Sequence, residues 1–383
     1  MMSDVLITGI CIISLLLLLF AIRLPVGFSL LLVGFCGIWY LKNYNAASLI
    51  LVSVAYNTVS NYVLISVPLF ILMGHLSLNA GLAQKAYSAG FKIVGGLPGG
   101  LAMASSIGCG IFAAATGIVG ASVTILGIMA AKSMNKSGYD VRLSAGTITA
   151  GGTLGILIPP SIMLVVMGPI MEIPVTDLFA AAIIPGILLA SLYAAYVTIR
   201  CWINPSLGPV LPEELRATSI KAVWIEFFLG LVPPAALVFA ALGSILFGFA
   251  TPTEAAGMGA MGSLILALAY RKLSFKKLQN VLVKTLEISA LIMVLVAASN
   301  FFGSVFSRLG TPMLITEVLL NLEMNRYIIL AIVMAMIFLL GWPLEWVPIV
   351  MIIIPIILPL IEALGFNLTW FAILVAVNLQ KGI

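Results

Sequence analysis

Two consecutive prolines interrupt an apolar segment in the stretch Ala150-Gly-Gly-Thr-Leu-Gly-Ile-Leu-Ile-Pro-Pro-Ser161. Proline has no backbone N–H, so this pair removes two hydrogen-bond donors from a helix. Because the flanking residues stay apolar, we expect one membrane segment over residues 143–171 that breaks or bends sharply in its middle. Unpaired backbone groups are tolerated inside a membrane only where a cavity, an ion or a substrate satisfies them. The break therefore predicts a binding site.

The whole chain has the composition of a membrane protein. Hydrophobic residues make up 62% and charged residues 8% of its 383 residues, and the mean hydropathy is +1.24. About a quarter of the residues of a soluble domain are charged. The apolar runs are continuous, as in residues 5–20 and 328–340, whereas a β-barrel needs short alternating strands. We therefore predict an all-α polytopic membrane protein, and the net charge of +5 reflects basic loops rather than nucleic-acid binding.

Hydropathy divides the chain into candidate membrane segments. They cover residues 5–22, 24–41, 61–80, 95–131, 143–171, 178–202, 224–247, 253–270, 284–307 and 327–361, with a short apolar piece at 368–380. Lysine and arginine collect in alternate loops, and cytoplasmic loops carry the excess of these residues. Placing the basic loops around Lys136 and Lys276 in the cytoplasm puts the N-terminus outside. The first run lacks the features of a removable signal peptide, so we expect it to be a retained span.

Two segments are expected to form re-entrant hairpins. On this assignment, residues 95–131 enter and leave on the cytoplasmic side, and residues 327–361 dip in from the outer side. Because the hairpins enter from opposite sides, the sequence predicts two inverted repeats, residues 1–203 and 224–383. A polar arm over residues 204–223 joins them at the cytoplasmic interface. Inverted repeats whose interrupted helices meet near the midplane are a recurring architecture of transporters.

Some of these features also have purely structural explanations. The proline pair can be a packing kink, the glycines can serve close helix packing, and Glu345 can lie in solvent at the outer interface. His75, at the end of the third span, is expected to have an interfacial or packing role. The motif Thr251-Pro-Thr-Glu254 predicts a helix start in which Thr251 and Glu254 form a capping box.

Seven motifs resemble the large membrane subunit of tripartite ATP-independent periplasmic (TRAP) transporters. They are Pro68-Leu-Phe-Ile-Leu-Met-Gly74, Gly95-Gly-Leu-Pro-Gly-Gly-Leu101, Thr116-Gly-Ile-Val-Gly-Ala-Ser122, Gly138-Tyr-Asp140, Gly152-Thr-Leu-Gly-Ile-Leu-Ile-Pro-Pro-Ser161, Ala250-Thr-Pro-Thr-Glu-Ala-Ala256 and Val377-Asn-Leu-Gln380. They cover almost the whole chain in the expected order. One departure lies at the C-terminus, where a second Pro-Pro segment is expected after Gln380 and Lys-Gly-Ile383 stands instead. The last broken helix is therefore expected to be incomplete, as in a truncated chain.

The resemblance implies an elevator-type, sodium-coupled symporter of the bacterial inner membrane with a periplasmic N-terminus. It implies a small four-helix membrane subunit and a periplasmic substrate-binding protein as partners. The implied substrate is a small organic acid, a carboxylate, and no cofactor is expected apart from Na⁺ as the coupling ion. The first hairpin tip differs from the serine-rich form of the sialic-acid and C4-dicarboxylate branches and looks more like the branch for mannitol, chloroaromatic or other organic acids.

Hard cations prefer oxygen ligands, and the interrupted segments offer carbonyl and hydroxyl oxygens with few fixed charges. On this resemblance, ion-binding residues are expected at Thr116, Gly117, Ser122, Gly155 and Pro159 in the first half, and at Pro343, Glu345, Asn378 and Gln380 in the second. Na⁺ itself is expected at Thr116, Gly117 and Gly155, and substrate contacts at Gly120, Thr153, Ser161 and Asn300.

Three alternatives to a symporter subunit stay open. An ion-coupled antiporter or a channel of the wider ion-transporter group would also be polytopic, although a channel needs a pore-lining ring of charges or carbonyls. A membrane-embedded enzyme is disfavoured because the chain has one histidine and neither a zinc-protease motif nor a nucleophile elbow. A passive scaffold subunit would not need two interrupted hairpins.

Overall fold

The structure is a computed structural model, and it describes residues 2–116, 119–210, 224–225, 228, 232–321, 324–342, 344 and 346–380. Within these ranges, the side chains of residues 2–6, 82–84, 86, 91–92, 111–116, 119–122 and 125–126 are not described. The described residues form helices joined by short connections and contain no β-strand. The predicted all-α class is therefore confirmed.

Seventeen α-helices are numbered here in chain order. The first ten are α1 (Met2–Ala21), α2 (Val26–Leu41), α3 (Tyr44–Val59), α4 (Ser66–Asn79), α5 (Leu82–Val94), α6 (Gly100–Thr116), α7 (Val119–Lys136), α8 (Val141–Leu157), α9 (Ile162–Met171) and α10 (Val175–Ile203). The other seven are α11 (Val232–Leu246), α12 (Pro252–Ala269), α13 (Phe275–Leu309), α14 (Thr311–Leu320), α15 (Arg326–Leu340), α16 (Trp346–Ala363) and α17 (Leu368–Leu379). Short 3₁₀ turns cover Tyr62–Ile65 and Pro205–Leu207, and α16 contains a π-helical segment at Ile349–Ile353.

Several helices are long and apolar enough to cross a membrane. Within the described residues, length and composition give five such segments: Tyr62–Asn79, Val141–Met171, Val175–Ile203, Phe275–Leu309 and Trp346–Ala363. Shorter apolar helices include α1 and α2, which precede these segments, and α15, which lies between the last two. Four of these segments fall on predicted spans, and Trp346–Ala363 falls on the second half of the predicted hairpin at 327–361, so the predicted polytopic membrane protein is confirmed.

Hydropathy missed three helices. The first, α3, is separated from α2 by two residues. One of them, Asn43, begins the helix by accepting a hydrogen bond from the Ala46 N–H at 2.8 Å. The second, α5, carries Lys85 and Lys92 and lies between the predicted spans 61–80 and 95–131. The third, α14, follows Gly310, whose φ of +74° ends α13. All three have polar or charged positions, so a hydropathy reading assigned them to connections.

Both predicted hairpins contain two consecutive helices. The pair α6 and α7 covers the first hairpin, and its tip includes Gly117, outside the described residues. The pair α15 and α16 covers the second, and its tip includes Pro343 and Glu345, which also lie outside them. The re-entrant course of the hairpins and the two-repeat organisation stay predictions.

The start of α12 has the predicted capping box. The Thr251 hydroxyl accepts a hydrogen bond from the Glu254 N–H at 3.3 Å, and the Glu254 carboxylate accepts one from the Thr251 N–H at 2.8 Å. Pro252 occupies the first turn, where no N–H is required. This motif therefore has the structural role that the sequence indicates.

The chain divides into two compact units, each built from both predicted halves. One consists of the described residues of Met1–Leu64, Val166–Pro174 and Glu287–Gly382, and the other of those of Ile65–Val165 and Val175–Leu286. In the first unit, glycines of α2 meet large residues of α13. A Cβ on Gly34 would lie 2.9 Å from the Phe301 ring, and one on Gly37 would lie 2.9 Å from Val305. Small residues allow such close packing where lipid leaves little hydrophobic driving force.

In the second unit, α6 packs closely against α8. A Cβ on Gly151 would lie 2.9 Å from the Ser106 Cα and 2.9 Å from the Cys109 Cβ. Polar pairs join other helices of this unit. His75 is hydrogen-bonded to Thr285 at 3.2 Å, as its predicted packing role requires, and the hydroxyls of Ser77 and Ser263 lie 3.1 Å apart.

Replacing Gly151 with alanine should lower the thermal stability of the purified protein in detergent. The new methyl group would meet the backbone of α6, and overpacking of this kind costs about 1–3 kcal/mol. Gly146→Ala is the matched control, because Gly146 lies on the same helix and a Cβ there meets nothing within 4 Å. The control should leave the melting temperature unchanged or raise it. Equal melting temperatures for the two variants would contradict the packing described here.

Candidate functional site

The predicted break lies between α8 and α9. Residues Gly151–Leu157 at the end of α8 are all buried, and the helix closes with the Ile158 N–H donating to the Leu154 carbonyl at 2.8 Å. Residues 158–161 are not helical, and α9 begins at Ile162. The two prolines therefore interrupt a buried helix, as the sequence predicts.

The prolines leave specific carbonyl groups without their helical donors. In a continuous helix the N–H of residue 159 would pair with the Gly155 carbonyl, and that of residue 160 with the Ile156 carbonyl. Proline supplies neither donor. The Ser161 hydroxyl, which is fully buried, donates a hydrogen bond to the Ile156 carbonyl instead. The Gly155 carbonyl loses its helical partner, as expected of an ion ligand formed by the backbone.

The hydroxyl groups near the break have restricted chemistry. Thr153 is 3% exposed, and its hydroxyl donates to the Ala150 carbonyl at 2.9 Å. Ser161 uses its hydroxyl hydrogen in the same way. A hydroxyl group whose hydrogen is engaged offers only its oxygen lone pairs to a ligand. These two predicted substrate contacts are therefore chemically better suited to a cation than to a carboxylate.

The first hairpin extends to the level of the break. Ser106 faces Gly151, and four residues further along α6 a Cβ on Gly110 would lie 3.0 Å from Leu154 and 3.9 Å from Ile158. The two helices therefore run in the same direction. The end of α6 at Thr116 lies about 9 Å beyond Gly110 along the helix. Backbone positions place Gly120 and Ser122 in the first turns of α7, and their side chains lie outside the description.

The second half also brings polar side chains to a hairpin tip. The Asn378 side chain donates to the Met334 carbonyl of α15 at 2.8 Å. Gln380 follows the end of α17 and is 5% exposed, and neither polar atom of its side chain has a hydrogen-bond partner among the described residues. A Cβ on Gly341 would lie 4.0 Å from the Leu379 side chain. The end of α17 is therefore adjacent to Gly341, which directly follows the end of α15.

Asn300, a predicted substrate contact, lines a cavity of about 360 Å³ inside the first unit. Three further polar residues line this cavity: Asn57, Thr58 and Asn61. Met351 of the π-helical segment contributes to the wall, and π-bulges are frequent at functional sites. A cavity of this size falls in the range of small-ligand sites, and its amide groups can donate hydrogen bonds to a carboxylate.

The sequence interpretation did not identify Asn57, Thr58 and Asn61. The signal was present, since these residues interrupt a stretch whose other members are mostly apolar. Hydropathy assigned Asn57 and Thr58 to the connection between spans 24–41 and 61–80 and Asn61 to the first position of the next span, so none of them indicated a cavity. In the structure they lie at the end of α3 and in the following turn.

The described residues contain no group of three His, Cys, Asp or Glu side chains that could hold a metal ion. The oxygen atoms at the break are instead neutral carbonyls and hydroxyls. Neutral oxygen atoms suit an alkali cation that must bind and be released. They do not suit the hydrolytic metal centres of membrane enzymes, which use histidine and carboxylate ligands.

Comparison with known proteins gives a consistent result. The model of the family "Tripartite ATP-independent periplasmic transporter, DctM component" matches residues 13–383. The C4-dicarboxylate TRAP transporter large permease protein DctM of Pseudomonas aeruginosa is 31% identical over 331 residues, which are 86% of this chain and 75% of that protein. The sialic acid TRAP transporter large permease protein SiaM of Vibrio cholerae is 28% identical over 96% of this chain and 84% of its own length.

A third relative is longer. The isethionate TRAP transporter permease protein DctMQ of Oleidesulfovibrio alaskensis is 29% identical over 334 residues, which are 86% of this chain and 51% of that protein. All three relatives are transporter permeases by name. A membrane-embedded enzyme, one of the open alternatives, is therefore excluded.

Replacing Ser161 with alanine should destabilise the protein by about 1–3 kcal/mol, because the buried Ile156 carbonyl would lose its remaining donor. Thermal unfolding in detergent measures this effect. Ser191→Ala is the control, since the Ser191 hydroxyl makes the same kind of bond, to the Ile187 carbonyl at 2.8 Å, on an exposed helix face. A Ser161 variant as stable as the control would show that the hydroxyl does not support the break.

Proposed function

Because the chain belongs to the DctM family of tripartite ATP-independent periplasmic transporters, we propose that it imports small organic acids by sodium-coupled symport across the bacterial inner membrane. The main support for sodium coupling is that the Gly155 carbonyl has no helical hydrogen-bond donor, because residue 159 is a proline. Unwound backbone carbonyls coordinate Na⁺ at the interrupted helices of secondary transporters. Thr116, Gly117 and Ser122 of the adjacent hairpin would complete this site.

The second half would supply a corresponding site. Gln380 offers a buried carbonyl oxygen without a partner among the described residues, next to the hairpin tip. Burying an unpaired amide is costly, and a bound cation or substrate would satisfy it. Asn378, Pro343 and Glu345 belong to the same proposed site. The recurrence of a hairpin tip beside an interrupted or ending helix supports two inverted repeats and an elevator-type movement.

For the substrate we propose a small carboxylate that contacts Asn300. The names of the relatives refer to C4-dicarboxylate, sialic acid and isethionate, which are all organic anions. The amide-lined cavity offers neutral donors, which bind an anion without a strong fixed charge that would prevent its release. Gly120 would allow close approach of a ligand at the first hairpin. Thr153 and Ser161, whose hydroxyl hydrogens are engaged, are assigned to the cation side.

Two partners belong to this proposal. A small four-helix membrane subunit would brace the permease, and a periplasmic binding protein would deliver the substrate. The longer isethionate permease has room for a second membrane subunit, since this chain spans only 51% of it.

We retain the periplasmic N-terminus. The missed helix α3 has 16 residues, as many as α2, but it is more polar, since it contains Asn45, Ser53, Asn57 and Thr58 and is not among the apolar helices. We therefore propose that it is not an additional complete crossing. Lys42 stays on the outer side, and the basic residues still collect in cytoplasmic loops.

Uptake of organic acids into proteoliposomes should require an inward Na⁺ gradient when the full permease is reconstituted with its small subunit and binding protein. Thr116→Ala or Ser122→Ala should weaken the apparent Na⁺ affinity about tenfold, since losing one polar contact in a buried site costs about 1–2 kcal/mol. Thr149→Ala should behave like the wild type, because the Thr149 hydroxyl is exposed and bonded to the Ala145 carbonyl.

A further variant separates substrate binding from ion binding. Asn300→Ala should raise the KM for the organic acid and leave the Na⁺ requirement unchanged, whereas Asn321→Ala, at an exposed position, should change neither. Uptake that ignores the Na⁺ gradient would contradict sodium coupling and favour proton coupling or another carrier class.

A further inference from the structure

A second cavity, larger than the amide-lined one, lies between α8 and α10 in the second unit. Its volume is about 710 Å³. Its chemistry depends on one buried hydroxyl group, three charged side chains and an apolar stripe. The hydroxyl belongs to Ser106, the charges to Asp140, Arg142 and Arg200, and the stripe to Leu189, Leu192 and Tyr196. None of them belongs to the ion or substrate sites proposed above.

The helix spacing gives this groove two chemically different ends. On α10, lining residues recur at positions 189, 192, 193, 196, 197 and 200, which form one face of a helix. On α8 they recur at positions 142, 143, 146, 147 and 150. Arg142 lies at the start of α8 and Arg200 near the end of α10, and both line the same cavity. The groove is therefore cationic at one end and mainly apolar along the rest, where Ser106 and Thr147 contribute hydroxyl groups.

The apolar part has the shape of a channel for a hydrocarbon chain. From Leu189 to Arg200 the α10 stripe is about 16 Å long. Leu192 and Tyr196 are 54% and 60% exposed. Across the groove, Gly146 presents no side chain, and a Cβ placed there meets nothing within 4 Å. The groove is therefore open along its length.

The cationic end lacks a compensating ion pair. Both arginines are exposed, and neither forms a salt bridge with a carboxylate among the described residues. Asp140 is near them in the lining, but its carboxylate caps α8 by accepting the Leu143 N–H at 2.9 Å. The charges of these three residues sum to +1. Away from this end, Ser106, which is 1% exposed, faces Gly151, and its hydroxyl has no hydrogen-bond partner in the described part of the chain.

We propose that this groove binds one anionic phospholipid. Its phosphate would be held by Arg142 and Arg200, because guanidinium groups match phosphate geometry with paired hydrogen bonds. One acyl chain would lie along the exposed stripe of α10 and over Gly146. A free phosphate or a small organic acid would leave that stripe uncovered, so the length of the apolar wall favours a lipid. Basic pockets between membrane helices are known sites for anionic head groups.

Native mass spectrometry of the full chain in detergent tests this assignment. With added phosphatidylglycerol the protein should retain one lipid, and with phosphatidylcholine, which has no net charge, it should retain none. The double variant Arg142→Gln/Arg200→Gln should weaken phosphatidylglycerol binding about 30-fold, since each basic residue near an anionic surface contributes about a fivefold factor. The control Arg271→Gln/Lys276→Gln removes the same charge from exposed positions elsewhere and should retain the lipid.

A second variant tests the apolar end without changing the charge. Gly146→Leu should fill the groove and abolish retention of the lipid, whereas Ala145→Leu, on the neighbouring exposed position outside the groove, should not. The proposal would be overturned if the Arg142/Arg200 variant retained as much phosphatidylglycerol as its control. It would also be overturned if the wild type retained phosphatidylcholine as well as phosphatidylglycerol. Displacement of the lipid by millimolar inorganic phosphate, or by the small membrane subunit, would identify a different occupant and also overturn it.

Discussion

The proposed site depends on the absence of two hydrogen-bond donors in a buried helix. At Pro159 and Pro160 the backbone cannot pair with the carbonyls of Gly155 and Ile156, and a membrane interior offers no water to replace those bonds. The structure compensates for these two missing hydrogen bonds in different ways. Ser161 supplies a side-chain donor for the Ile156 carbonyl, which stabilises the break. The Gly155 carbonyl keeps its oxygen available, and we assign it to the coupling ion.

In the proposed ion site, the ligands would be neutral oxygen atoms. A fixed carboxylate at membrane depth is costly to desolvate, and it would hold a cation too firmly for release on each transport cycle. Carbonyls and hydroxyls carry only partial charges, so they bind Na⁺ when several of them converge. The close packing of α6 on Gly151 has a role here, because it fixes the hairpin at the level of the break. In the second half, Gln380 has a buried amide without a hydrogen-bond partner among the described residues, and we propose the same principle there.

The sequence predicts the parts of the fold that depend on strong local signals. The break at Pro159 follows directly from the missing N–H groups, and the capping box at Thr251 follows from the spacing of its residues. Hydropathy could not find α3, because polar residues such as Asn57 lower its apolar character and become meaningful only once they face a cavity. The donor role of Ser161 was also beyond the sequence, since it depends on how the chain turns after the prolines. The tips at Gly117 and Glu345 lie outside the described residues and stay predictions.

Equilibrium binding of radioactive sodium to the purified permease tests the central claim most directly. The double variant Pro159→Ala/Pro160→Ala restores both backbone donors, so the Gly155 carbonyl should regain a helical partner. We predict that this variant stays folded and loses Na⁺ binding, while Pro185→Ala, which changes a proline inside α10, binds Na⁺ like the wild type. A folded double variant that binds Na⁺ as tightly as the wild type would contradict the account.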